Sequence, residues 1–337
     1  MNWSKGYTSA CYMTVVDRLT WRDTQRIEIT GGSVSRTGTG LIESAQVDCV
    51  RYDQSAERWI RIWMDVMQEG SSEHVPVFTG LAASPDRDIN GRLETSQVVC
   101  YSVLKPAKDV LLKRGWYAPA GANGANLAAQ LLAVTPAPKV VEEGSPILAS
   151  TYIAESGENH MTMAQKILDA IGWRLRIEGN GTIHICPKAA GVSASFDCLE
   201  YDAVEPKVKV TYDWFSAPNM FRAVMNGVSA VAADDSPDSI FSTKSRGREV
   251  WKEESNCTLN DTETLAEYAG RRLKEEQSVA YIAAYDRRYH PEVTVSDLVR
   301  LHYPEQDIDG IFIVKKQSID LKKGGRTSET GERYGNL

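Results

Sequence analysis

Long apolar runs, paired cysteines and clusters of cations are all missing from this 337-residue sequence. No stretch approaches the roughly 20 apolar residues that a bilayer-spanning helix requires. The opening MNWSKGYTSACYMTVV has neither a long apolar run nor a small-residue cleavage site, so no signal peptide and no membrane anchor are expected. The six cysteines, Cys11, Cys49, Cys100, Cys186, Cys198 and Cys257, are scattered without a single CxxC pair. That removes the usual zinc-ribbon and redox spacings and predicts free, buried thiols, as suits assembly in a reducing cytoplasm. A net charge of -7 argues against a nucleic-acid binder, which needs clustered Lys and Arg to displace counterions from phosphates. A channel through which a polyanion slides is a different case, because an acidic or neutral wall does not grip it.

Signatures of catalysis are lacking too. There is no GxSxG elbow, no Walker lysine and no GxGxxG after a strand. His184 and Cys186 share one face of a strand, but two ligands without a second pair do not make a metal site. His290 and His302 each stand just before a proline at a strand end, where turn or interface roles are expected. Glu142-Glu143 and Glu253-Glu254 are sequence neighbours that point to opposite sides of a strand, whereas glycoside hydrolysis needs two carboxyls facing each other across roughly 5 to 9.5 Å. No catalytic, cofactor-binding or metal-binding residue is assigned, and no enzymatic activity is expected.

What the sequence does hold is β pattern. Arg26 to Thr30, Ala45 to Val50 and Trp59 to Met64 alternate polar and apolar residues, which buries one face of each strand. Val75 to Leu81 leads to Asn90-Gly91, a two-residue hairpin turn, and Leu93 to Val103 returns. Beyond Leu104 the composition shifts. Asn126 is placed to cap a short helix through Leu127, Leu131 and Val134. Ala164, Ile167, Leu168 and Ile171 make a helical stripe that Gly172 can end. The hairpin Trp173 to Cys186 follows. Strands resume at Val208 to Tyr212 and Met220 to Val224, and a third helix is expected from Asn260, with Glu263 reaching back to it. Three last strands precede a charged, Gly-rich end.

The expected class is α+β, predominantly β: two tube-like β-barrel or sandwich domains with an intervening small α/β module. The boundaries read as 1–104, 105–187 and 188–322, with a flexible tail at 323–337. Large aromatics favour core or subunit-interface packing, and Trp59 and Trp63 fall four residues apart on one strand face. Trp59, Trp63, Phe78 and Trp214 are the candidate interface residues.

Four stretches, taken in order, resemble a known family. They are Val77-Phe78-Thr79-Gly80-Leu81; Met163 to Trp173 with its hairpin and Pro187; Ala266 to Ser278 with Arg271-Arg272-Leu273; and Asp297 to Leu301 followed by Gly310 to Val314. The order is similar to that of the baseplate or tail hub proteins of phage tails and phage-tail-like particles, the family of late-control D proteins and the amino-terminal part of VgrG spike proteins. The resemblance implies a structural, homotrimeric ring at a virion tail tip or baseplate, adapting a sixfold tail tube to a threefold spike. It implies as partners the tail tube or distal tail protein above, a separate spike protein below and the tape-measure protein, with DNA passing through the bore unbound. Rival readings are a receptor- or carbohydrate-binding tail module and a tail-associated cell-wall hydrolase.

Overall fold

The computed structural model describes residues 1–53, 55–91, 93–188, 191–199, 204–225, 227–255, 257, 259, 263–278 and 281–334. Two compact units emerge, Met1–Ala190 with Arg288–Thr294 and Lys316–Thr327, and Gly191–Arg287 with Val295–Lys315 and Ser328–Leu337.

The first unit opens with six strands, β1 (Thr8–Val16), β2 (Asp23–Thr37), β3 (Ile42–Cys49), β4 (Arg58–Gln68), β5 (Ser71–Asn90) and β6 (Leu93–Ser102). They pair in the order β1-β4-β5-β6-β3-β2, every pair is antiparallel, and β1 also pairs with β2. The sheet is thus a closed barrel, the arrangement that leaves no free edge along its wall. Period two does the work expected of it on β4, where Ile60, Ile62, Met64 and Val66 point inward with Val34, Val47, Val98 and Cys100. Each such side chain contributes on the order of 1.5–3 kcal/mol by leaving water. β2 turns a corner, pairing first with β1 and from Ile29 onward with β3. Gly32 makes the corner with φ of +138°, and a Cβ there would lie 2.2 Å from the Gln46 carbonyl oxygen. A buried ion pair pins this register: Arg36 Nε donates to Glu43 Oε1 at 2.7 Å, Nη1 donates to Gln317 Oε1 at 2.7 Å, and Nη2 donates to the Val77 carbonyl.

After the barrel come α1 (Lys105–Asp109), β7 (Tyr117–Ala118), α2 (Gly124–Leu131), β8 (Lys139–Val141), β9 (Tyr152–Ile153), α3 (His160–Ala170), β10 (Trp173–Ile177) and β11 (Ile183–Pro187). The helical stripe holds: Met163, Ala164, Ile167 and Leu168 of α3 are buried, Asn159 accepts from the Thr162 N–H at 2.8 Å, and Gly172 follows with φ of +69°. The cap of α2 is Asn123, not Asn126, with Asn123 Oδ1 accepting the Asn126 N–H at 2.9 Å. Its first turn is Gly124 and Ala125, small residues that carry no apolar signal because they let α2 approach α3: a Cβ on Gly124 would sit 2.9 Å from Ile171.

The second unit begins with β12 (Val192–Asp197) and β13 (Val204–Tyr212). An excursion follows through β14 (Met220–Met225), β15 (Val228–Ala233), α4 (Thr243–Arg246), β16 (Trp251–Ser255) and α5 (Leu265–Ser278). The chain closes with β17 (Tyr281–Arg287), β18 (Leu298–Tyr303), β19 (Ile308–Asp320) and β20 (Thr327–Arg333). The excursion is a three-stranded sheet, β15-β14-β16, with Phe221 and Ala223 packed on Tyr268, Ala269 and Leu273 of α5. The helix starts at Leu265 behind a capping box, in which the Thr264 N–H donates to Glu267 Oε2 at 2.8 Å and the Glu267 N–H to Thr264 Oγ1 at 3.3 Å. Asn260, the expected cap, lies outside the described residues. Glu263 instead takes both forks of Arg271, at 2.7 and 3.1 Å.

The remaining six strands pair in the order β12-β18-β19-β20-β17-β13. Numbered by their place in the chain, this is first, fourth, fifth, sixth, third, second, the same sequence of neighbours as in the barrel. Two differences stand out. The first and fourth strands here are parallel, and among the described residues the first and second do not pair.

The flexible tail expected at 323–337 is corrected by β20. Its inward positions include Glu329 and Gly331, which look like solvent-facing residues in a sequence. Glu329 is buried because Arg287 meets it, Nε donating to Oε2 at 2.9 Å and Nη2 to Oε1 at 2.5 Å, while the Tyr285 hydroxyl donates to Oε2 at 2.6 Å.

Candidate assembly surfaces

The four candidate interface residues part company in the structure. Phe78 is fully buried in the barrel core and presents nothing to another chain. The residues flanking it are buried as well, Val77 because β5 bulges where it pairs with Ile62 and Trp63, and Thr79 because the tip of the later hairpin covers it. Trp59 is only 8% exposed: it lies on the outer side of β4, but the helices and hairpin of the same unit cover it, with Trp21 at 5.4 Å between ring centroids. These two are corrected from interface to core. The covering hairpin is clamped at its tip, where the Trp21 Nε1–H donates to the Asn180 carbonyl at 3.0 Å and Thr79 Oγ1–H to the Gly179 carbonyl at 2.7 Å.

Trp63, on the same strand face, is half-buried and sits in a ladder across three strands. It stacks with Tyr12 at 6.4 Å, and the Arg26 guanidinium lies 3.7 Å from the Tyr12 ring centre. The Trp63 Nε1–H donates to Asp23 Oδ2 at 3.0 Å, so the indole is held in place. A rigid aromatic edge with paired cations is the kind of surface that protein partners bury at little entropic cost. Tyr12 and Arg26 were not singled out in the sequence. They reach this ladder through the pairing of β1 with β2 and β4, which no local pattern announces.

Trp214 is exposed at 43% and its neighbour Phe215 at 86%. The turn that carries them is tied down: Asp213 Oδ1 accepts the N–H groups of Phe215 and Ser216 at 3.2 and 3.0 Å, and Arg246 donates to the Trp214 and Ala217 carbonyls. The hydrogen bonds to Ser216 hold the Asp213 carboxyl below its ordinary value of 3.8. Trp214 stacks on Tyr212 at 5.9 Å and leans on the buried Phe241 at 5.3 Å. Phe215 was missed, although Asp213-Trp214-Phe215-Ser216 is an Asx-turn pattern that stiffens a loop.

A cavity of about 350 Å³ in the first unit is lined by Trp3, Arg36, Arg176, Glu178, Tyr289 and Thr294, among others. Three of its charged side chains are engaged: Arg36 by Glu43, Glu178 by His184 at 3.0 Å, and Arg176 by the Glu292 carbonyl at 3.1 Å. Cys186, the other half of the pair on β11, is buried, and burial raises its thiol above the usual range. Burial likewise pushes Cys11 and Cys100 up to about 12 and Cys49 up to about 11. All six thiols are free. Among the described residues no group of three or more His, Cys, Asp or Glu is placed to hold a metal ion, and no helix is long and apolar enough to cross a membrane.

No family model matches the sequence, and comparison with curated proteins returns no match. Solved structures do match. A tail protein from Neisseria meningitidis MC58 superposes with a TM-score of 0.66 at 14% identity, over 97% of this chain and 98% of that one. The 43 kDa tail protein of prophage MuSo2 from Shewanella oneidensis gives 0.67 at 13% identity, over 96% and 97%. An Escherichia coli component of the type VI secretion system, described as similar in structure to the T4 tail proteins gp27 and gp5, gives 0.53 at 8% identity, over 96% and 77%. The chain has the fold of phage tail proteins, as the resemblance in its sequence implies.

Proposed function

We propose that this chain is a structural baseplate or tail hub, acting as a homotrimer at the tip of a phage tail or phage-tail-like particle. The observation that supports this most directly is the repeated strand order, first-fourth-fifth-sixth-third-second, in the two units. A sixfold tube and a threefold tip cannot share equivalent interfaces unless an adaptor carries two similar surfaces per chain. Two β units in each of three chains supply six. The tail proteins that share the fold support a structural rather than a catalytic role. On this reading the partners are the tail tube or distal tail protein above and a spike protein below, with the tape-measure protein and passing DNA in the bore. The net charge of -7 suits a wall that lets a polyanion slide. Trp63 and Trp214 are the interface residues that remain from the sequence.

Electron cryo-microscopy of intact particles carrying a labelled copy tests the reading. Label at the tail tip is the expected result, and label elsewhere, or none on the particle, overturns it. Release of peptidoglycan fragments by the purified chain would replace it with the hydrolase reading.

A further inference from the structure

Charge is absent where the first unit shows an apolar face to solvent. From Gly115 to Pro138 and from Gly144 to Ala154 there is no Asp, Glu, Lys or Arg, in a chain where these residues make up 25%. The two stretches meet as an irregular antiparallel ribbon, with Tyr117 opposite Ile153, Ala118 opposite Tyr152 and Asn123 opposite Ile147. Ala118, Leu148 and Tyr152 pack into the core, so the residues beside them turn away from it. Those residues are Tyr117, Ile147 and Ile153, exposed at 59%, 65% and 69%. A single apolar side chain on a surface needs no explanation, but a charge-free face that carries several does. Depletion of charge marks the core of an interface, and the most apolar interfaces join subunits that are always together.

The second unit offers a surface of the same character. Tyr212, Trp214 and Phe215 are exposed at 39%, 43% and 86%, and the rings of Tyr212 and Trp214 stack on each other. Two charged groups of that turn are engaged within it, Asp213 by the N–H groups of Phe215 and Ser216 and Arg246 by the carbonyls of Trp214 and Ala217. The turn is thus ordered before any partner arrives, which keeps the entropic cost of covering it low.

We infer that the face of Tyr117, Ile147 and Ile153 in one copy receives the Trp214-Phe215 turn of a second copy, with Phe215 as the anchor of the contact. A face without charge has nothing to offer a charged partner, and the chain itself carries the apolar turn that fits it. An aromatic anchor covered by apolar side chains has the composition of an interface hot spot. The two surfaces are different patches, so the contact is head-to-tail, the kind from which a ring of three is built. This inference rests on the homotrimer reading and names the surfaces that hold the trimer together.

Charge placed in either surface tests it on the full chain, with native mass spectrometry for assembly and circular dichroism for folding. Ile147→Lys with Ile153→Lys, and separately Phe215→Lys, raise the concentration for half-assembly by about tenfold or more while the folded spectrum is kept. A short bis-maleimide reports the contact itself: Ile153→Cys combined with Phe215→Cys links copies to one another, and neither single variant nor the wild type does. A wild type that is monomeric throughout overturns the trimer reading and this interface with it. A wild-type trimer that either charged variant leaves intact, that the double cysteine variant fails to link, or that one cysteine variant links alone, overturns the contact and leaves the trimer standing.

Discussion

Glu329→Ala is the sharpest perturbation of the second unit. The side chains of Arg287 and Glu329 are both 0% exposed, so the substitution takes the carboxylate counter-charge away from a guanidinium that water does not reach. Breaking a buried pair from one side costs about 3–5 kcal/mol. The lost acceptor of the Tyr285 hydroxyl lies within that range rather than beyond it, since the hydroxyl can rotate. Urea unfolding should register a fall in midpoint of about 1 M or more at ordinary denaturant slopes. It must be followed at matched protein concentration, because assembly adds its own stabilisation. Arg287→Met with Glu329→Leu removes both charges and keeps the volume, so this double variant should unfold within about 1 kcal/mol of the wild type or above it. The reasoning fails if Glu329→Ala leaves the midpoint unchanged, or if the double variant loses as much as the single one.

Three further outcomes are expected. Gly179→Ala drives a Cβ to 1.8 Å from the Pro76 carbonyl oxygen, so the hairpin must lift from β5 at a cost of about 1–3 kcal/mol, read as a lower thermal midpoint. Thr264→Ala removes the cap of α5 and should cost about 0.5–2 kcal/mol, with Thr264→Ser losing little. For Glu254, burial opposes ionisation, but the Tyr268 and Arg272 hydrogen bonds together prevail and hold its carboxyl below the ordinary 4.5. A depressed folded value means that its contribution is complete above pH 4.5 and fades as pH falls through the folded value. Urea midpoints at pH 5 and pH 3 should therefore converge between wild type and Glu254→Gln at the lower pH; a gap that stays constant would contradict this.

How much of this was legible in the sequence depends on which faces are apolar. β4 and α3 were readable because one side of each is packed with Ile, Met, Val and Leu and the other is not. β20 was invisible, because Glu329 and Gly331 sit where a hydrophobic residue would have signalled a strand. Trp59 and Trp63 show the limit for sites: they share a strand face, yet a hairpin more than 100 residues later in the chain covers one and leaves the other half-open. Phe78 looked available for an interface only because its strand bulges, and a bulge depends on the partner strand. The strand order that both units share is a matter of distant pairings, which periodicity within a strand does not encode.

The central claim is that three chains, each with two units of one strand order, make a six-membered ring. Single-particle electron microscopy of the purified chain tests it most directly. The account predicts a ring with an open centre, six β lobes and threefold symmetry. A monomer at micromolar concentration, or a ring whose lobe count is not twice its chain count, would contradict it.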